Sequence, residues 1–246
     1  MQRLERFVSW LQNNSKQRYR LLFTPWGEAL IHHHYQQALI TLSGDENIET
    51  VAIQTNLSGS LEWLAQANQQ KLALWVSYHP SQTKLTHFLA KIERLQQLGI
   101  QFSVGMVVLP EHYTLMNELR NALPRSIPLW FNAAKEQGIV YDAEELDRLQ
   151  QIDPDFALNL RDYPTFGKVC RAGQTAITVD HLGTVRRCHF IAEPLGCIYS
   201  EPLSQILAKT PQPCPQTHCE CYLGHIQFAR EDFQHWSEER LMWRGL

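Results

Sequence analysis

Five short runs of this chain are apolar on most of their residues: YRLLF at 19–23, TVAIQTN at 50–56, LALWVSY at 72–78, QFSVGMVVL at 101–109 and PLWFN at 128–132. Parallel strands covered by helices on both faces read this way. Between the runs, apolar residues recur at intervals of three and four. Helices are therefore expected over 29–42, closed by Gly44, then around 61–67, over 83–98 with Gly99 as a stop, over 112–123 with Pro124 beyond, and over 143–152. Leu85, Phe88, Leu89, Ile92 and Leu95 form one continuous stripe, and Asp142 with Glu145 has the spacing of a capping box. Leu4, Phe7, Val8 and Leu11 make 1–13 an amphipathic helix whose apolar side requires a core. The alternation predicts an α/β fold with a parallel sheet, doubly wound or curled into a barrel. In both architectures function gathers at the carboxyl ends of the strands. Here those are 24–28, 55–58, 77–80, 109–111 and 132–135.

Composition narrows the class only a little. With 44% hydrophobic residues and a net charge of −3 over 246 residues, the chain has an ordinary globular composition and no basic tail for nucleic acid. A chain of this size buries about 70% of its unfolded surface and needs no disulfides. MQRLERFVSW lacks the apolar core of a signal peptide, and no run approaches the ~20 apolar residues of a membrane span. The expectation is a cytoplasmic protein without nucleic-acid or membrane partners, whose thiols stay reduced.

The cysteines change the picture more. All six fall between Cys170 and Cys221. Residues 176–179 and 184–187 read as two strands joined by Asp180, His181, Leu182 and Gly183, a hairpin that brings Cys188 back beside Cys170. Cys214, Cys219 and Cys221 follow in one loop stiffened by Pro213 and Pro215. Five thiolates, Cys170, Cys188, Cys214, Cys219 and Cys221, are thus candidates for one metal centre, with Cys197 outside the pattern. Soft thiolates select zinc or an iron-sulfur cluster. Disulfides or unrelated buried thiols are the plainer alternative. His189, His218 and His225 matter if the metal is zinc. Arg186 and Arg187 flank Cys188, where they either balance thiolate charge, meet a substrate carboxylate or lie on a solvated strand face.

Elsewhere, Glu28 stands near a helix start, placed to hold an ammonium group or simply to favour the helix dipole. His32, His33 and His34 point in three directions on a helix and make a poor metal tract. His79, at a strand end, is a candidate for proton transfer or a structural histidine. Trp75, Trp130 and Phe131 lie in strands and read as core.

Two features resemble a known family. Cys170 is followed after twelve residues by Gly183 and after four more by Cys188, and the later cysteine group comes next; Trp26-Gly27-Glu28-Ala29 follows the first apolar run. This is similar to the radical SAM enzymes, in particular those with a C-terminal SPASM or twitch extension, which cleave S-adenosylmethionine reductively at a 4Fe-4S cluster in a partial barrel. Gly27-Glu28 matches half of the family's Gly-Gly-Glu-Pro motif. The resemblance implies S-adenosylmethionine contacts at Gly27, Glu28, Thr55, Asn56 and Ser77, with Val104-Gly105 nearby, and an auxiliary 4Fe-4S cluster on four of the five cysteines. It also implies a partial (β/α)6-type barrel over 1–160, a cysteine-rich hairpin extension over 161–246, a peptide or protein substrate, and an electron donor such as flavodoxin or ferredoxin. The family's CxxxCxxC and the strand before it have no counterpart here, so the resemblance implies an N-terminally truncated barrel. Its first visible strand would present an unpaired edge, and solubility should suffer. The alternative is a binding or scaffold protein without catalysis, stabilised by zinc or by one cluster.

Overall fold

The computed structural model describes residues 2–14, 17–135, 138–160 and 163–219. These group in two compact units, one holding the described residues between 17 and 160 and the other combining 2–14 with 163–219.

The first unit contains all five expected strands, β1 (Tyr19–Phe23), β2 (Ile48–Thr55), β3 (Leu72–Ser77), β4 (Gln101–Val108) and β5 (Leu129–Ala133). They pair in parallel in chain order, forming a curled half-barrel. Pairing in this order requires a crossover after each strand. Those that follow β1, β3 and β4 carry α2 (His33–Gly44), α3 (Leu85–Gln97) and α4 (Tyr113–Ala122), and α5 (Ala143–Ile152) with α6 (Phe156–Leu160) come after β5. Register divides the sheet into two faces. Val51, Ile53, Leu74, Val76, Val104, Met106 and Phe131 are almost wholly buried on one. The other carries Gln54, Trp75, Ser77, Ser103, Gly105, Trp130 and Asn132, polar or aromatic and in part accessible. The two tryptophans meet edge to face with ring centroids 4.8 Å apart, Trp130 buried in the core as expected and Trp75 half-buried.

Expectation and structure part in a few places. The stretch 29–42 is two elements: a 3-10 turn over Ala29–Ile31, then α2, with His32 extended between them. The stretch near 61–67 is a 3-10 turn only, Glu62–Gln66. The Asp142–Glu145 capping box is formed, each side chain bonded to the other's backbone amide at 2.9 Å. On the outer side of β5, the Phe131 amide donates to Asp153 Oδ2 and the Ala133 amide to Asn159 Oδ1, both at 2.9 Å. Side chains thus occupy the donors that an edge strand would otherwise offer to another chain.

In the second unit, α1 (Gln2–Asn13) packs Phe7 and Trp10 against a small core of Val185, Ile198 and Ile206, and Arg6 lies 3.7 Å over the Tyr199 ring. The same unit holds β6 (Val169–Cys170), β7 (Thr178–Val179), β8 (Thr184–Arg186), β9 (Pro194–Cys197), α7 (Leu203–Ile206) and β10 (Gln212–Pro213). β7 and β8 form the expected antiparallel hairpin and β9 adds a third strand; β6 pairs with β10.

The hairpin turn is held by one carboxylate. Asp180 accepts from the amides of Leu182 and Thr184 and from Arg186 Nη1 at 2.8–3.0 Å, while Gly183 takes a φ of +85° that favours glycine. Burial pushes the Asp180 carboxyl up, but the donors from Arg186, Leu182 and Thr184 outweigh it and hold it at about 2. A carboxyl depressed in the folded state contributes stability above its unfolded pKa of 3.8 and loses it as pH falls through about 2. Asp180→Asn should therefore lower the denaturation midpoint at pH 7, and the gap from wild type should close between pH 4 and 2. A gap that persists unchanged at pH 2 would contradict the assignment.

Candidate functional site

The first group of candidates lies at the carboxyl ends of β1 to β3. After Phe23 the chain leaves the sheet and turns at Gly27, whose φ of +71° suits glycine. The turn sets Glu28 at the N-cap of the Ala29–Ile31 turn. Its carboxylate binds in both directions: Oε1 accepts from the Leu30 amide at 2.9 Å, and Oε2 accepts from Thr55 Oγ1 at 2.9 Å and the Asn56 amide at 2.6 Å. Glu28 is half-buried, Thr55 buried and Asn56 half-buried. One carboxylate thus joins the loop after β1 to the end of β2. Thr55 Oγ1 also accepts from the Leu57 amide at 3.0 Å, and Asn56 reaches Gln82 through its side-chain amide at 3.2 Å. Ser77 ends β3 opposite Gly105, one step beyond the Val76–Thr55 pair. Gly27, Glu28, Thr55 and Asn56 therefore form one connected group, and Ser77 stands at the neighbouring strand end. A carboxylate has about four acceptor positions; three are used here, which fixes the group and leaves room for one further donor.

The second group is the cysteines. Residues 163–170 and 212–219 run side by side. The Cys219 amide donates to Tyr163 O, Thr165 N to Thr217 O, Gly167 N to Cys214 O, and Cys214 N to Lys168 O, at 2.8–3.1 Å. This zipper and the β7–β8 hairpin gather Cys170, Cys214 and Cys219 in one buried cluster with Ala172, and Cys188 packs against it. Among the described residues none of the four is in a disulfide. Cys197 lies outside, with Sγ 3.9 Å from Leu182 O. Cys221 falls outside the described residues, as does His225. Burial pushes the Cys170 thiol up; the Ala172 amide, 3.4 Å from its sulfur, pulls it down, Cys214 raises it, and the Arg187 charge lowers it.

Four converging thiols fit a metal centre in chemistry. Among the described residues, however, no three His, Cys, Asp or Glu side chains stand close enough to hold a single ion. His32 and His34 stack on each other with centroids 5.4 Å apart. No described helix is long and apolar enough to cross a membrane.

No family model matches the chain, and no curated protein matches it. Solved structures do. Native anSMEcpe with bound AdoMet superposes with a TM-score of 0.56 at 14% identity, over 98% of this chain and 77% of that one. The same protein with bound AdoMet and Kp18Cys peptide gives 0.58 at 15%, over 99% and 79%. At this identity the likeness is one of fold: the chain has the partial barrel of the radical SAM enzymes.

Proposed function

We propose that this chain acts in radical SAM chemistry on a peptide or protein, with S-adenosylmethionine at the strand ends and an auxiliary 4Fe-4S cluster on Cys170, Cys188, Cys214 and Cys219. Cys221 is the fifth candidate ligand. The observation that carries this reading is the convergence of four thiols from three separated segments, in a chain that folds as the radical SAM half-barrel. One zinc ion would draw its ligand sulfurs to within about 3.8 Å of one another, given Zn–S bonds of ~2.3 Å in a tetrahedron. A cubane spreads its ligands over four iron corners. Four grouped thiols offer ligands to either centre, and iron, zinc and sulfide analysis separates the two. The peptide class is supported by the neighbour solved with a Kp18Cys peptide.

When bound, S-adenosylmethionine would supply the radical, the electron for its cleavage coming from a 4Fe-4S cluster whose CxxxCxxC ligands these 246 residues do not contain. The chain's own residues bind and orient. The remaining acceptor position of Glu28 suits an ammonium group, Asn56 and Ser77 supply polar contacts beside it, and the Trp75–Trp130 face provides a half-dry wall for a substrate. Glu28→Ala removes this acceptor and unties Thr55 and Asn56, each bond to a charged group being worth about 1.5–3 kcal/mol. It should weaken S-adenosylmethionine binding at least about tenfold by calorimetry. Unchanged affinity would exclude Glu28 as a contact.

The second reading, a metal-stabilised binding protein without catalysis, is favoured by one sequence fact: these 246 residues contain no CxxxCxxC. The two readings separate on S-adenosylmethionine binding. Measurable affinity supports the first, and none with the cysteine centre loaded supports the second.

A further inference from the structure

Two adjacent arginines precede Cys188, and they do different work. Arg186 points at the hairpin turn, where Asp180 neutralises it at 2.8 Å and Ala192 O accepts from its Nε at 3.0 Å. Arg187 turns the other way. Its Nε donates to Ala172 O at 3.1 Å, its Nη1 to Pro213 O at 2.8 Å and its Nη2 to Gln212 O at 2.8 Å. All three nitrogens are thus spent on backbone carbonyls, and every one of those carbonyls lies within two residues of a thiol: Ala172 follows Cys170, and Gln212 and Pro213 precede Cys214. Arg187 itself adjoins Cys188. A single guanidinium bridges the three segments from which the cysteine cluster is assembled. Its rigid planar fork suits that task, which a lysine ammonium on a flexible stem would not reproduce.

The space for it is made by a glycine. A Cβ on Gly173 would stand 2.8 Å from Arg187 Cγ, and Gly173 has a φ of +91°, so both its lack of side chain and its left-handed backbone serve the passage of the arginine stem. Among the described residues no carboxylate pairs with Arg187, and its charge pulls the Cys170 thiol down.

We propose that Arg187 is the positioning residue of the cysteine centre: it braces the thiol-bearing segments before metal arrives, and its charge then favours the reduced form of the bound cluster. The second half rests on the 4Fe-4S reading and the first does not. A cation near a cluster stabilises the extra negative charge of the reduced state, so removing it should make the potential more negative.

The test uses the full chain as Arg187→Lys, which keeps the charge but not the fork, and Arg187→Met, which keeps neither. In metal-free protein, alkylation of Cys170 and Cys214 by a maleimide, followed by mass spectrometry, should be about tenfold faster in Arg187→Lys than in wild type, as expected for the loss of one or two carbonyl hydrogen bonds. Far-UV circular dichroism checks that the variant is folded. Wild-type alkylation rates in a folded Arg187→Lys protein would overturn the brace. In reconstituted protein, an EPR-monitored redox titration should find Arg187→Lys near the wild-type potential and Arg187→Met more negative. Equal potentials in all three proteins would overturn the electrostatic role. If wild type takes up no iron and sulfide, the cluster reading and the electrostatic role fail together, while the alkylation rates still decide the brace.

Discussion

Cys170→Ser should strip the anaerobically prepared protein of iron and acid-labile sulfide, whereas Cys197→Ser should leave both unchanged. Serine is nearly the size of cysteine, so the buried cluster with Ala172, Cys214 and Cys219 keeps its packing, but the hydroxyl is a poor ligand for a soft metal. Cys197 supplies the internal control. It is a cysteine of the same unit, half-exposed, and directed at Leu182 O rather than at the other thiols. Iron content measured beside sulfide distinguishes a lost ligand from a misfolded protein when the circular dichroism of the two variants is the same. If both serine variants retain the metal, Cys170 is not a ligand. If both lose it, the grouping of the thiols has been misread.

Gly105→Ala should destabilise the sheet unit by about 3 kcal/mol, the upper part of the range for overpacking a filled core. A Cβ built on Gly105 falls 2.0 to 2.4 Å from three indole atoms of Trp130, which is 5% exposed and hydrogen-bonded through Nε1 to Ser103 Oγ at 3.4 Å. Neither partner can move cheaply. Gly105 is a β4 residue paired with both Ser77 and Trp130, and the indole also meets Trp75. For a chain of this size that loss corresponds to a drop of roughly 6–12 °C in the melting temperature. Adding Trp130→Leu should restore much of it, because the clash is with the ring alone. A Gly105→Ala protein that melts with wild type would show that the indole has another place to go.

The strands were legible because most of their residues are apolar, and the crossovers because Leu85, Phe88, Ile92 and Leu95 keep a helical period. What escaped was set by longer-range contacts. Helix and 3-10 turn share the same periodicity over four or five residues, so the break at His32 could not be read. β9 contains Pro194 and Gly196, both poor strand formers, and it exists because it pairs with β8. The amphipathic stripe of residues 2–13 announced a core but not which one; Phe7 and Trp10 chose Val185, Ile198 and Ile206. In the site, cysteine spacing was enough to group the thiols, and the Gly27-Glu28 pair was enough to mark a turn. The bonds from Thr55 and Asn56 to Glu28 join residues that are far apart in the chain, and no local pattern records them. Trp130 is buried in the core, as aromatic residues in strands usually are, and only register shows that it shares a face with the half-buried Trp75.

The most direct measurement is the metal content of the protein purified without oxygen, by iron, zinc and acid-labile sulfide analysis of the same sample. About four iron and four sulfide per chain, with negligible zinc, is the result expected for a cubane held by Cys170, Cys188, Cys214 and Cys219. Stoichiometric zinc without sulfide, or no metal at all after anaerobic reconstitution, would contradict it.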